Sequence, residues 1–414
     1  MDLNLFNRIA SRIDGYVNEI IEMQGRLTAA QAIGPENDGK GEYEKAEYVK
    51  EMLEKIDPDE VIEVNAPDER VPNGFRPNIV AFFNGEAGDR TLWIITHLDV
   101  VPPGDLKLWN TDPFKVELRD GKLYGRGVED NQQSLIASYM AVKALRDSKV
   151  KPHRRIGLLF VSDEETGSER GLKYVLSERM DLFGEKDFYI VPDGGNSDGT
   201  LVEIAEKSIL WLRFQVIGRQ GHGSRPDQAV NSFKAGSYLI TRLDQLYSIF
   251  DERDELYEVP TSTFEPTKKE ANVPNINTIP GEDVFYMDCR ILPKINVDEV
   301  INNINGMAKE IEAEFKVKVN ISIVQRADAA PPTPPDSPAV RALLKAIKAV
   351  NGRNGRPMGI GGGTVAAILR RAGFPAVVWA TMDETAHQPN EYCILKNLIN
   401  DAKVFLHISL QEDV

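Results

Sequence analysis

The chain has 414 residues, 42% of them hydrophobic, which is enough to bury a large core and suits two domains better than one or four. Its 64 acidic residues outnumber 49 lysines and arginines, and the net charge of -15 argues against a nucleic-acid-binding surface and against anionic membranes. The two cysteines, Cys289 and Cys393, lie far apart and outside any CxxC pair, so neither a disulfide framework nor a thiolate zinc site is indicated. The expectation is a cytoplasmic enzyme with a small-molecule partner.

The opening segment, MDLNLFNRIASRIDGYVNEIIEMQ, reads as an amphipathic helix over residues 3–24 and lacks the basic-then-apolar layout of a secretory signal. No run approaches the ~18 apolar residues of a membrane span. A second helix is predicted near 41–55, followed by apolar runs NIVAFF (78–83) and TLWIIT (91–96), a long helix near 132–147, and RIGLLFV (155–161). Later come DFYIVPD (187–193) and PAVVWAT (375–381). These near-continuous apolar runs predict an α/β sheet covered by helices on both faces. The middle of the chain differs. From SILWLRFQVIG (208–218) to VKVNISIV (317–324) the strands alternate apolar and polar residues, with helices near 230–249 and 297–314. That pattern predicts a smaller α+β sheet inserted into the first domain, with the proline-rich DAAPPTPPDSP (328–338) as the return linker. The expected division is a first domain of residues 1–206 and 329–414 and an inserted domain of residues 207–328.

LLFVSDEETGSERG (158–171) ends an apolar run on three adjacent acids, Asp163, Glu164 and Glu165. Like charges this close resist ionising together unless a cation or a proton lies among them. A solvated turn before a helix is the plain alternative. In an open α/β sheet, residues just past the carboxyl ends of strands share one crevice. Those positions hold His97 after TLWIIT, Glu164 and Glu165 after RIGLLFV, Asp193 at the end of DFYIVPD, and His387 in DETAHQPNE beyond PAVVWAT, while Asp130 opens a long helix in YGRGVEDNQQS. Two imidazoles and several carboxylates on one edge make a hard, charged pocket suited to zinc. Singly, His97 reads equally well as a core histidine and Asp130 as an N-cap. GIGGGT (359–364) is followed by no P-loop lysine and no strand is expected before it, so a phosphate loop is not expected there.

THLDVVP, the stretch WNTDPF followed by DGKLYGRGVED, SDEETGS and HQPNE, together with GRQGHGSRP and NTIPGEDVFYMDCR, occur in an order that resembles the co-catalytic zinc amide hydrolases of metallopeptidase family 20. That family includes acetylornithine deacetylase, succinyl-diaminopimelate desuccinylase, carboxypeptidase G and carnosinase-type dipeptidases. The resemblance runs from about residue 70 to the end. It implies a helix-flanked mixed sheet as catalytic domain, an inserted lid that also dimerises, and two zinc ions per chain, with cobalt or manganese as substitutes.

Carried over residue by residue, the resemblance implies that Asp130 bridges the two ions, with His97 and Asp193 completing one site and Glu165 and His387 the other. Asp99 would hold the His97 imidazole in its ligating tautomer. Glu164 would be the general base that takes a proton from the attacking water and returns it to the leaving amine. Asp163 receives no role. In the inserted domain, His222 would reach the partner subunit's active site in a homodimer and donate to the substrate carbonyl, Arg290 would clamp a substrate carboxylate, and Asn277 would contribute a nearby polar contact. Gly363 and Thr364 would approach the substrate.

Two features depart from or refine the pattern. Asn131, Gln132 and Gln133 stand where many relatives carry MKG or DKG, beside a peptide bond after Asp130 that is usually cis. Asp193 occupies a position that is Asp in aminopeptidases and dipeptidases and usually Glu in deacylases. The substrate expected is therefore a dipeptide or related small peptide. N-acyl amino acids, as for a desuccinylase or deacetylase, are the alternative, and in that case Arg219 and Arg225 are candidates for a second substrate anion. A non-catalytic peptide binder is a third reading, but its signature, loss of Glu164 or of a ligand, is missing from the sequence.

Overall fold

A computed structural model describes residues 2–412, apart from the side chains of residues 88 and 89. Residues 1, 413 and 414, at the ends of the expected division, lie outside the described residues. The chain forms two compact units, one of Met1–Ile204, Pro332–Pro357 and Thr364–Val414, the other of Ala205–Pro331 and Met358–Gly363.

The first unit is built on an eight-stranded mixed sheet. In spatial order its strands are Glu60–Glu63, Ile79–Phe83, Arg154–Val161, Ala87–His97, Phe188–Asn196, Ala376–Thr381, Leu201–Glu206 and Arg356–Ile360. Strands 154–161, 87–97, 188–196 and 376–381 run parallel, and antiparallel pairs flank them. Their apolar runs are buried because helices cover the sheet, as the sequence predicts. Gln133–Asp147 and Leu395–Leu410 pack against each other and against the sheet. Trp93, fully buried, lies over Gly157, where an added Cβ would come within 2.7 Å of the indole. The carboxyl ends of the four parallel strands therefore form one edge, and the residues that follow them share it.

The long amino-terminal helix is broken. Leu3–Ile13 and Val17–Ala29 are separate helices joined by a 3-10 turn over Asp14–Tyr16, which contains Gly15, a poor helix former. A strand at Arg356–Ile360 does precede the glycine run, contrary to the sequence expectation; its RPMGI sequence, only partly buried, carries no apolar run.

The second unit is a four-stranded antiparallel sheet in the order Thr263–Lys269, Glu282–Ile291, Ser208–Ile217 and Lys318–Ala327, with helices Ser232–Leu243 and Val297–Phe315 packed on it. Strand Ser208–Ile217 alternates strictly: Leu210, Leu212, Phe214 and Val216 are buried with the helices' apolar residues, while Trp211 points out. No described helix is long and apolar enough to cross a membrane.

Candidate metal centre

His97 is the last residue of its strand. Its Nδ1 donates to the backbone carbonyl of Asp99 at 3.0 Å, which fixes the proton on Nδ1 and turns the Nε2 lone pair into the crevice. The sequence expectation gave this orienting task to the Asp99 carboxylate, but that carboxylate stands 3.5 Å away and is engaged elsewhere. Its two oxygens accept the backbone N–H groups of Glu164 and Glu165 at 3.1 and 3.0 Å, so Asp99 fixes the turn that carries both acids.

Asp130 lies at the junction before helix Gln133–Asp147, and its peptide bond to Asn131 is cis. Its two carboxylate oxygens serve two different histidines: Oδ1 is 2.9 Å from His97 Nε2 and Oδ2 is 3.1 Å from His387 Nε2. His387 Nε2 is also 3.1 Å from Glu165 Oε2, and His97 Nε2 is 3.5 Å from Asp193 Oδ1. Ligand atoms of His97, Asp130 and Glu165 lie mutually within 4.8 Å, as do those of His97, Glu164 and Asp193. All six expected acids and imidazoles of the centre are thus brought together. Glu164, read as metal-free, also brings a carboxylate oxygen within 4.8 Å of His97 and Asp193.

Asp193 reaches the crevice because its strand bulges. Val191 pairs with Val378 and Gly195 with Ala380, so residues 192–194 oppose a single residue of the neighbouring strand. Gly195 is required at the close of the bulge, where a Cβ would fall 1.9 Å from the Ala380 carbonyl. Asn131 then holds the acid in place, its Nδ2 donating to Asp193 Oδ1 at 2.6 Å and to the Pro192 carbonyl at 2.9 Å. An apolar residue at position 131 could not make these bonds.

The electrostatics are those of a site short of positive charge. Burial opposes the charge on His97, but Asp193, Asp130 and Asp99 overcome it and hold its pKa well above the ordinary value. Hydrogen bonds to Asp130 and Glu165 lift His387 to about 10. Burial and the Asp130 charge push Glu165 up to about 7, and burial with the Asp193 charge raises Glu164 well above the usual carboxylate range. Burial resists ionisation of Asp130 too, but the two imidazoles keep it well below the usual range. Among the described residues, no lysine or arginine forms an ion pair with Asp130, Glu164, Glu165 or Asp193. Lys45 is buried close by with its Nζ unpartnered, and burial lowers it to about 8 against the pull of Asp99 and Glu42.

Zinc fits these residues. The donors are imidazole nitrogens and carboxylate oxygens, Glu165 Oε1 is buried without a hydrogen-bond partner, and each Nε2 lone pair faces carboxylate oxygens that repel it unless a cation or a proton lies between.

Sequence reasoning missed two acids in motifs it had quoted, Glu129 and Glu391. Glu391 accepts the backbone N–H groups of Gly127, Glu129 and Asp130, and Glu129 accepts those of Asp383 and Thr385. Their adjacency to ligand loops was the available signal. Asp163, given no role, proves to be a turn acid: it sits at φ 62°, accepts the Thr166 hydroxyl and, at 2.8 Å, the Arg170 N–H.

The remaining candidates belong to the second unit, except Thr364. His222 is exposed, and Nδ1 pairs with the Ser224 hydroxyl at 2.9 Å. The His222 strand pairs with Thr278, and the carbonyl of exposed Asn277 accepts Gly223 N–H at 2.7 Å, so these residues are neighbours. Arg290 is largely committed: Nε and Nη2 bind Asp288 at 2.7 and 3.0 Å, and Nη1 binds the Gly361 carbonyl at 2.8 Å. One N–H on each Nη remains for another acceptor. Gly363 is exposed, and Thr364, in the first unit, caps the start of the short helix that follows, its Oγ1 accepting Ala366 N–H at 3.2 Å.

The profile of Peptidase family M20/M25/M40 matches residues 93–411. An uncharacterized metallohydrolase of Methanococcus maripaludis is 41% identical over 417 residues, covering 95% of this chain and 99% of that protein. A succinyl-diaminopimelate desuccinylase of Wolbachia sp. subsp. Brugia malayi is 26% identical over 92% of this chain and 90% of its own length. Among solved structures, human carnosine dipeptidase 1 superposes with a TM-score of 0.75 over 98% of each chain at 18% identity, which establishes the likeness of fold. The chain belongs to peptidase family M20/M25/M40 and is a metal-dependent hydrolase of the peptidase and amidohydrolase kind.

Proposed function

We propose that this M20 metallohydrolase is a dinuclear zinc amide hydrolase that cleaves small peptides bearing a free carboxylate, unblocked dipeptides foremost. The observation that carries the two-metal reading is the division of Asp130, whose Oδ1 addresses His97 and whose Oδ2 addresses His387. A carboxylate split in this way is what two mutually repelling divalent ions require between them. On this reading His97 and Asp193 complete one site, and Glu165 and His387 the other.

Bound zinc would supply Lewis acidity toward the scissile carbonyl and acidity to the attacking water. The chain's own residues do the rest. Asp99 fixes the Glu164–Glu165 turn through two backbone N–H groups, which keeps the Glu164 carboxylate in the crevice. Glu164 takes the proton from the water and returns it to the leaving amine nitrogen. Burial favours its protonated state and so suits the return step. His222, exposed with its Nδ1 occupied by Ser224, offers Nε2 to the substrate carbonyl oxygen bound by a partner subunit, so a homodimer formed through the second unit is part of the proposal. Arg290, held by Asp288, directs its two remaining N–H groups to the substrate carboxylate, with Asn277, Gly363 and Thr364 as neighbouring contacts.

A second reading, N-acyl amino acid hydrolysis, is favoured by the likeness to succinyl-diaminopimelate desuccinylases over most of the chain. Measuring kcat/KM for unblocked dipeptides beside N-succinyl-diaminopimelate and N-acetylornithine separates the two. Dipeptides are expected to be faster. A higher value for either acyl substrate than for every dipeptide tested overturns the peptidase reading.

A further inference from the structure

The loop that carries His387 is held in an uncommon backbone conformation. Glu384, His387 and Asn390 have φ of 57°, 63° and 61°, three non-glycine residues in the left-handed region within seven positions. Such residues cost on the order of 1–3 kcal/mol each and persist only where their surroundings enforce them. His387 is itself exposed, so burial of its ring does not enforce them.

Two buried carboxylates cross between this loop and the one that carries Asp130. Glu391 comes from the His387 side and is fully buried. Its Oε1 accepts the N–H groups of Glu129 and Asp130 at 2.9 and 3.2 Å, its Oε2 accepts Gly127 N–H at 3.0 Å, and Arg126 Nη1 neutralises it at 2.5 Å. Glu129 comes from the Asp130 side and is 2% exposed. Its Oε1 accepts Asp383 N–H at 2.7 Å, and its Oε2 accepts both the N–H and, at 2.7 Å, the hydroxyl of Thr385. Thr385 Oγ1 in turn accepts Tyr392 N–H at 3.1 Å, which closes the loop at its base. Outside the brace, Tyr392 pairs with Tyr124 in a small antiparallel sheet and brings the two segments side by side.

We propose that Glu129 and Glu391 are positioning residues, a reciprocal brace that fixes the distance between Asp130 and His387 and thereby forms the binding site for the second metal ion. This rests on the two-metal reading above. Each carboxylate grips the backbone of the loop opposite its own, so neither loop can shift without breaking bonds to the other. The 3.1 Å approach of His387 Nε2 to Asp130 Oδ2 is the product of that grip. The His97 side shares only Asp130 with it, because His97 is fixed by its own strand and by the Asp99 carbonyl.

The test uses the full chain, stripped of metal and titrated with zinc ions alone by calorimetry, for wild type, Glu129→Gln, Glu391→Gln and, as a marker of which ion is which, His387→Ala. Wild type is expected to bind two ions in distinguishable steps, and His387→Ala to lose one of them. Both brace variants should bind the ion that survives in His387→Ala as wild type does, and the other about 10- to 100-fold more weakly, the usual effect of removing a group that orients a ligand. Should Glu391→Gln fail to fold, Glu129→Gln and Thr385→Val decide the matter, the latter with a smaller loss at the same ion. Equal affinity for both ions in the folded brace variants, or equal weakening of both, overturns the brace. A wild type that binds one ion overturns the two-metal reading instead.

Discussion

Asp163 and Glu164 are consecutive acids, yet they belong to two charge clusters of opposite construction. Asp163 joins Glu42 and Asp68 around Arg76, with Arg70 and Arg170 completing the set. Arg76 is fully buried, binds Glu42 through both Nε and Nη2, and has Nη1 3.7 Å from both Asp68 and Asp163. Arg70 holds Asp68 at 2.8 and 2.7 Å and keeps its carboxyl down at about 2, against burial. The chain supplies every cation this cluster needs. Glu164 faces the other way, into a group of four carboxylates whose only ion-pair partners among the described residues are two imidazoles. Buried acids completed by arginine are architecture; buried acids left open to a crevice are completed by what the crevice binds. Adjacent residues with the same chemistry are sorted into these two classes by the direction their backbone turns, and Asp163 in the left-handed region is where the turn occurs.

That contrast can be broken by changing one member of each cluster. The largest effect is expected at Glu164. Glu164→Gln should retain its metal while kcat falls by about a hundred- to ten-thousand-fold, and thermal stability should hold. Arg76→Met should do the reverse, lowering unfolding free energy by about 3–5 kcal/mol because it leaves Glu42 buried and unpaired, with the metal content of the folded fraction unchanged. Urea denaturation measures this, and a stability loss reversed by added zinc would show that the two clusters are not independent.

Acid sensitivity offers a check remote from both clusters. Burial pushes the His407 pKa down from 6.5 to about 4, with the Lys345 charge helping. Its Nδ1 accepts from Gln411 Nε2 at 2.9 Å, a bond that a proton on Nδ1 would abolish. Because the folded value lies below the unfolded one, the unfolded chain binds more protons between these limits. The contribution is fully present above pH 6.5 and is lost as pH falls toward 4, amounting to up to about 3 kcal/mol. His407→Leu should flatten that part of the stability profile in urea titrations at stepped pH; an unchanged slope would contradict it. The smallest effect is expected at Asp163, where Asp163→Asn should cost about 1–3 kcal/mol of stability through its lost hydrogen bonds while kcat stays within a few-fold of wild type. A loss of turnover as large as that of Glu164→Gln would erase the distinction between the neighbours.

The parallel strands were legible because each is a continuous apolar run, and the crevice followed because residues past their carboxyl ends share one edge. His97, Glu165 and His387 could be placed from that alone. What escaped the sequence was carried by backbone. The bulge that brings Asp193 forward depends on a Gly195 whose need arises only against the Ala380 carbonyl. The orienting acceptor for His97 is a carbonyl, which no side chain announces. Glu129 and Glu391 act on N–H groups of segments more than 250 residues away, a pairing without local periodicity. Arg290 looked like an open clamp because Asp288, two residues before it, reads as an ordinary outward strand residue until the pairing geometry is seen.

The most direct test of the account is the zinc content of the purified chain after saturation and removal of unbound metal, for wild type and for Asp130→Ala. The division of Asp130 between His97 and His387 predicts about two ions per wild-type chain and loss of at least one in the variant, with the remainder weakly held. A single ion in saturated wild type, or two ions retained without Asp130, would contradict it.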